Sequence, residues 1–172
     1  MIDLRGKRAL VTGGSRGIGA ATARLLARAG ANVMIGYRSR SADAQRVVDE
    51  LRASGVTAEA HAADIATRAG ADALVTATVQ ALGGLDLYVG NAGVWPSAEV
   101  GVAEMDDERW ANTMRENVDS IFFTSRAVAR AMTNGGRIVL VSSTAGQRGE
   151  SFHADYGASK GAVISFTKSL AV

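Results

Sequence analysis

The apolar positions of this chain fall into short runs, separated by longer stretches with helical spacing. Ala9 to Val11 form a run that breaks into glycines before a helix-like pattern begins. Further runs of this kind predict strands near 8–12, 32–36, 57–62, 85–90 and 136–141. The stretches between them predict helices near 17–29, 41–54, 67–82, 107–132 and 156–171. Ile18, Leu25 and Leu26 are the expected inward residues of the first helix. Ala44, Val47, Val48 and Leu51 stripe the second, and Leu74, Val75, Val79 and Leu82 the third. Trp110, Met114, Ile121, Phe122, Ser125 and Val128 trace one broad face of the fourth. Strict β/α alternation predicts an α/β fold, a parallel sheet with helices on both faces and right-handed crossovers. No repeat, low-complexity tract or linker divides residues 1–172, which read as a single domain.

Composition changes this picture little. With 47% hydrophobic and 21% charged residues, the chain reads as an ordinary globular protein. A net charge of +2 without a dense Lys/Arg block gives no reason to expect nucleic acid. There are no cysteines, which excludes disulfides and thiolate metal sites and fits a reducing, cytoplasmic setting. His61 and His153 are too far apart in sequence to suggest a metal site. No apolar run approaches the ~20 residues that span a bilayer, so no membrane partner is expected. The opening MIDLRGKRALV lacks the apolar core of a signal peptide.

The glycine break after the first strand carries chemistry. Gly13, Gly17 and Gly19 sit where strand gives way to helix. Glycine permits positive φ and close backbone approach to a ligand. The helix that follows turns free N–H groups and the positive end of its dipole towards the loop, which suits a pyrophosphate. A tight turn without ligand is the plainer alternative, but three glycines in a strand–helix setting favour nucleotide binding.

A second signal lies near the end. Tyr156 and Lys160 stand four residues apart in YGASK, and Ser143 precedes Tyr156 by thirteen. A phenol is a poor acid at neutral pH, and an ammonium group one helical turn away favours the phenolate. A serine hydroxyl beside them can hold a substrate oxygen, making an acid/base suited to a carbonyl or alcohol. Alone, a Tyr–Lys pair is as easily an exposed feature of a helix.

TGGSRGIG at 12–19, NAG at 91–93, Asn117, Ser143 and YGASK at 156–160 together resemble the short-chain dehydrogenase/reductase family, most nearly its 3-oxoacyl-carrier-protein reductases. The likeness implies a Rossmann-type doubly wound sheet and an NADP-dependent oxidoreductase interconverting a ketone and a secondary alcohol. Asn117, Ser143, Tyr156 and Lys160 would be its catalytic residues. Tyr156 would exchange the proton, Lys160 would also grip the nicotinamide ribose, and Ser143 would orient the carbonyl. The Asn117 carbonyl would hold a water linked to Lys160; an ordinary helix–sheet hydrogen bond is the alternative. Cofactor contacts would come from Gly13, Ser15, Arg16, Gly17, Ile18 and Gly19, from Tyr37 and Arg38, and from Asp64 and Ile65. Asn91, Ala92 and Gly93 would complete them, with Tyr156 and Lys160. Asp64 reads equally as a helix N-terminal acid. Tyr37 and Arg38 stand where an acid would favour NAD, and with Arg16 they point instead to the 2′-phosphate of NADP. Gly90 departs from the second Asn found in many relatives.

Members of this family run on beyond the helix at which this chain stops. The resemblance therefore implies that two strands, the substrate-covering helices and part of the nicotinamide pocket lie outside the sequence. It also implies a homo-oligomer, a dimer or tetramer built on the helices near 107–132 and 156–171. A truncated, inactive nucleotide-binding or oligomerisation module is the competing reading.

Overall fold

The computed structural model describes residues 2–132 and 134–172. Five parallel strands form one sheet: β1 (Arg8–Thr12), β2 (Asn32–Tyr37), β3 (Ala58–Ala62), β4 (Leu87–Gly90) and β5 (Arg137–Leu140). Their order is β3-β2-β1-β4-β5. Arg8 pairs with Asn32 and Thr12 with Gly36, while Ala9 meets Leu87 and Gly90 meets Leu140. The helices are α1 (Gly17–Arg28), α2 (Ser41–Arg52), α3 (Arg68–Leu82), α4 (Asp107–Met114), α5 (Ser120–Ala131), α6 (Ala145–Arg148) and α7 (Ala154–Leu170).

The two-residue period of a strand divides the core into two layers. Ala9, Val11, Val33, Ile35 and Val89 face α1 and α2. Leu10, Met34 and Tyr88 face the opposite way, against Leu74 and Val75 of α3 and Val128 of α5. The doubly wound arrangement expected from the sequence is therefore present. On β5 it is incomplete: Ile138 and Leu140 pack into the second layer, while Val139 on the other face is 57% exposed.

Two expectations about helix faces are corrected. Ile18 and Leu25 of α1 are exposed, and the helix buries Gly19, Ala20, Ala23 and Ala27 instead. Small residues let the helix axis approach the sheet, so its larger aliphatic side chains flank the contact. The long helix predicted at 107–132 is divided by a π-helical turn, Arg115–Asp119. Its buried line runs through Thr113, Asn117, Ser120, Ile121, Thr124 and Val128, leaving Trp110 and Phe122 exposed. The short helix α6 was not expected, and α7 begins two residues earlier than predicted.

Candidate active site

β1 and β4 are neighbours but not consecutive, and the connections that leave them run to opposite faces of the sheet. A crevice opens beyond the carboxyl ends of strands at such a switch point. Here it is a cleft of about 370 Å³. Its lining includes Gly13, Ser15, Arg16, Gly17, Ile18, Tyr37, Arg38, Asp64, Ile65, Asn91, Ala92 and Gly93. Exposure of Ile18 thus places it at the cleft rather than in the core.

The glycine loop is shaped by close approach. Gly13 has φ of 65°, and a Cβ there would lie 2.9 Å from Asn91 Nδ2. A Cβ on Gly19 would lie 2.3 Å from the Gly13 carbonyl oxygen. The residue before α1, Arg16, is extended, and no side chain caps the helix. Its first turn also carries no acid, so its first N–H groups are left for a ligand or solvent. Thr12 Oγ1 accepts from the Asn91 and Ala92 N–H groups at 3.0 and 3.1 Å, and Asn91 Nδ2 donates to Thr12 O at 2.9 Å. These bonds tie the ends of β1 and β4 together beneath the cleft.

At the other end of the cleft, Arg38 Nη1 donates to Glu116 Oε2 at 2.7 Å. Arg16 is exposed and Tyr37 half-buried. Asp64 accepts from Arg115 Nη2 at 2.5 Å and from the Ala66 N–H at 3.1 Å. Thr67 caps α3, accepting from the Gly70 N–H at 3.1 Å. Asp64 lies three residues before that cap, so the reading of it as a helix N-terminal acid is set aside.

Tyr156 and Lys160 share a face of α7. Lys160 Nζ stands 5.7 Å from the Tyr156 ring centroid and donates to Val141 O at 3.1 Å. Burial of this lysine, which is 5% exposed, pushes its pKa below the ordinary value. Gly93 passes close by: a Cβ there would lie 3.4 Å from Lys160 Nζ and 2.8 Å from Asn117 Oδ1. Asn117, wholly buried in the π-helical turn, accepts from the Val94 N–H at 2.7 Å. Its Nδ2 donates to Val94 O and to Ser159 Oγ, both at 3.0 Å. Its side chain therefore joins the loop after β4 to α7, rather than making a helix–sheet bond.

The two serines after β5 diverge. Ser142 Oγ donates to Lys160 O at 2.7 Å and anchors α7, while Ser143 Oγ accepts from the Ala145 N–H at 3.2 Å. Ser143, Tyr156 and Lys160 are not part of the cleft lining. Gly93, which does line it, comes close to Lys160.

The sequence reading missed a buried carboxylate and its partners. Asp155, next to Tyr156, has no exposed surface. It accepts from Arg109 Nε at 3.1 Å and Thr113 Oγ1 at 2.8 Å. Burial raises its pKa, but Arg109, Thr113 and the Tyr156 N–H outweigh that and hold the carboxyl below its ordinary value. Arg109 also donates to Ala98 O at 2.7 Å and Phe152 O at 3.4 Å. Trp95 stacks on His153 with ring centroids 4.1 Å apart and stands edge-on to Tyr156 at 4.5 Å. Adjacency of Asp155 to Tyr156 is the one signal of that carboxylate's place that the sequence offers.

A switch-point cleft with a glycine loop and an uncapped helix makes this a Rossmann-type dinucleotide-fold domain. The chain belongs to the short chain dehydrogenase family, whose model matches residues 7–172. It is 40% identical over 172 residues to the 3-oxoacyl-[acyl-carrier-protein] reductase FabG of Vibrio cholerae, covering 99% of this chain and 68% of that one. It is 38% identical over 170 residues to versicolorin reductase 1 of Aspergillus parasiticus, covering 98% and 64%. A short chain dehydrogenase from Burkholderia cenocepacia, solved in complex with NADP, superposes with a TM-score of 0.93. That pair is 41% identical, covering 98% of this chain and 68% of the other. The chain spans 62–69% of the length of the curated relatives it matches.

Proposed function

We propose that this protein is an NADP-dependent oxidoreductase that interconverts a ketone and a secondary alcohol. One observation carries the reading: a buried lysine beside the Tyr156 ring, under a bare glycine backbone, next to a glycine-loop cleft. The residues fit a nicotinamide dinucleotide. Gly13 and Gly19 leave no room for side chains, and the uncapped start of α1 suits a pyrophosphate. Arg38 and Arg16 would hold the 2′-phosphate, and Asp64 and Ile65 the adenine side. Lys160 and Gly93 would face the nicotinamide ribose. When bound, the reduced cofactor would supply the hydride to the ketone carbon, and the oxidised form would take it from the alcohol carbon.

The chain's own residues then handle oxygen and proton. Ser143 orients the carbonyl oxygen, and Tyr156 donates a proton to it, or takes one from the alcohol in the reverse direction. Lys160 places its charge beside the phenol. Asn117 fixes the Val94 loop and Ser159, so that Gly93 and α7 keep their spacing. The NADP in the Burkholderia structure and the reductase names of the relatives support this reading.

We also propose that copies associate through α5 and α7, where Phe122 is exposed and meets Phe166 at 6.4 Å.

The test is oxidation of NADPH and NADH, followed by nicotinamide absorbance, with a panel of ketones. Ketone-dependent oxidation favouring NADPH is expected. Nucleotide binding with no turnover on any ketone would leave an inactive binding module.

A further inference from the structure

We propose that Trp95 is a specificity-determining wall, and that the site takes a neutral carbonyl compound carrying an apolar ring. This rests on the oxidoreductase reading for its reaction, but not for its binding. Trp95 follows β4 and is 49% exposed, although it touches two rings. It lies nearly parallel to His153, with 19° between planes, and nearly perpendicular to Tyr156, at 79°. A half-exposed indole against the proposed proton donor gives an apolar group beside the carbonyl a surface to cover.

The wall is rigidly backed. His153 is 5% exposed, and its ring nitrogens lie 2.9 Å from Pro96 O and 3.0 Å from Ser151 O. The loop carrying Trp95 is stitched to the loop before α7 by the Val100 N–H, which donates to Phe152 O at 3.1 Å. Arg109 adds bonds to Ala98 O and Phe152 O. Phe152 is held at φ of 60°, which a bulky residue rarely adopts, with its ring 57% exposed. A surface fixed in advance loses little freedom on binding, and a rigid ring loses less than a flexible chain.

The ion pair beside the stack points the same way. The Arg109 guanidinium is committed to Asp155 and two carbonyl groups, and Asp155 is buried. Neither is free to recruit an anionic substrate, whereas an apolar ring gains by covering the indole.

The experiment uses the 172-residue protein carrying Trp110→Phe, so that Trp95 is its sole tryptophan. Its emission is titrated with trans-1-decalone, 2-octanone and acetoacetate, with and without saturating NADP. Decalone should bind about tenfold more tightly than acetoacetate, as covering roughly 55 Å² of apolar surface gives. It should also bind more tightly than the open-chain ketone. For Trp95 variants, binding is read by calorimetry. Trp95→Phe should keep most of the preference, while Trp95→Ala, or Trp95→Gln should alanine prevent folding, should erase it. NADPH affinity should be the same in all. Decalone binding no more tightly than acetoacetate, or a preference that survives in a folded Trp95→Ala or Trp95→Gln protein, would overturn the proposal. A Trp95-dependent preference without hydride transfer to any ketone would leave the wall standing and remove the oxidoreductase reading.

Discussion

Arg38 is held by Glu116: its Nη1 lies 2.7 Å from a carboxylate on a side chain only 13% exposed. The arginine proposed to read a 2′-phosphate thus already has a carboxylate partner, and cofactor choice becomes a competition between two anions. Arg38→Ala should weaken NADPH about ten- to hundredfold, since hydrogen bonds to charged groups contribute about 1.5–3 kcal/mol. NADH affinity should barely move. Glu116→Gln should strengthen NADPH by up to about fivefold, the scale of an ion pair whose arginine stands in solvent. Calorimetric titration of both nucleotides checks this, and an unchanged NADPH affinity in Arg38→Ala would remove Arg38 from the site.

Tyr156→Phe should cut turnover about 10²–10⁴-fold, the usual worth of a general acid, and leave nucleotide affinity intact. Lys160→Ala should damage both. Steady-state rates measured beside NADPH titrations separate the two roles, and a Tyr156→Phe protein with normal rates would exclude the phenol as the proton donor.

Lys160 also makes stability depend on pH. Its folded pKa is lowered by burial from 10.5, so between the two values the unfolded chain binds more protons. Stability therefore rises with pH through that window, and the penalty of burying the charge is fully present below it. Lys160→Met should melt higher than wild type at pH 7, with the gain shrinking as pH climbs towards 10.5. Each kcal/mol of relief reads as about 2–4 °C in a calorimeter. A gain that does not vary with pH would contradict this.

Asp155, whose pKa is also lowered, gives a slope of the same sign in the acid range, but as a stabilising contribution rather than a relieved penalty. Its folded pKa is depressed, so its contribution is present above the ordinary value of 3.8 and lost as pH falls from there through the folded pKa. Asp155→Asn should flatten the acid limb of the stability curve. Arg109→Ala should cost about 3–5 kcal/mol at neutral pH, because it leaves a buried carboxylate without its cation. Urea unfolding of both variants across pH tests the pair. Equal acid limbs in wild type and Asp155→Asn would show that Asp155 does not carry the slope.

Much of this was legible in the chain, for reasons tied to particular residues. The strand-to-helix glycine loop and the Tyr156–Lys160 pair are local, and short-range spacing fixes them. The Arg109–Asp155 bond joins residues 46 apart, and no periodicity reports it. Ile18 and Leu25 were misplaced because size and hydrophobicity pointed inward, whereas close helix–sheet packing selected alanine and glycine. The π-helical turn at Asn117 was invisible, since adding a residue to one turn hardly alters an apolar pattern.

Gly90 leaves room that the Tyr88 hydroxyl fills. A Cβ on Gly90 would lie 2.9 Å from the Tyr88 hydroxyl and 2.7 Å from Leu140 Cδ2. Gly90→Asn should therefore cost about 1–3 kcal/mol through overpacking. Adding Tyr88→Leu should recover much of that. Thermal melts of the single and double variants decide it, and additive losses would show that the two positions do not share the space.

The bare outer face of β5 divides the molecule by how readily its parts open. Amides of β1 and β2, whose core side chains are 0–2% exposed, should exchange with deuterium only on global unfolding. Those of β5, where Val139 stands in solvent, should exchange through smaller local openings. Ser143 follows that strand, and Lys160 leans on the Val141 carbonyl just beyond it. Mild heat or denaturant should then silence the chemistry while the glycine loop still grips its nucleotide, so that loss of activity precedes loss of binding.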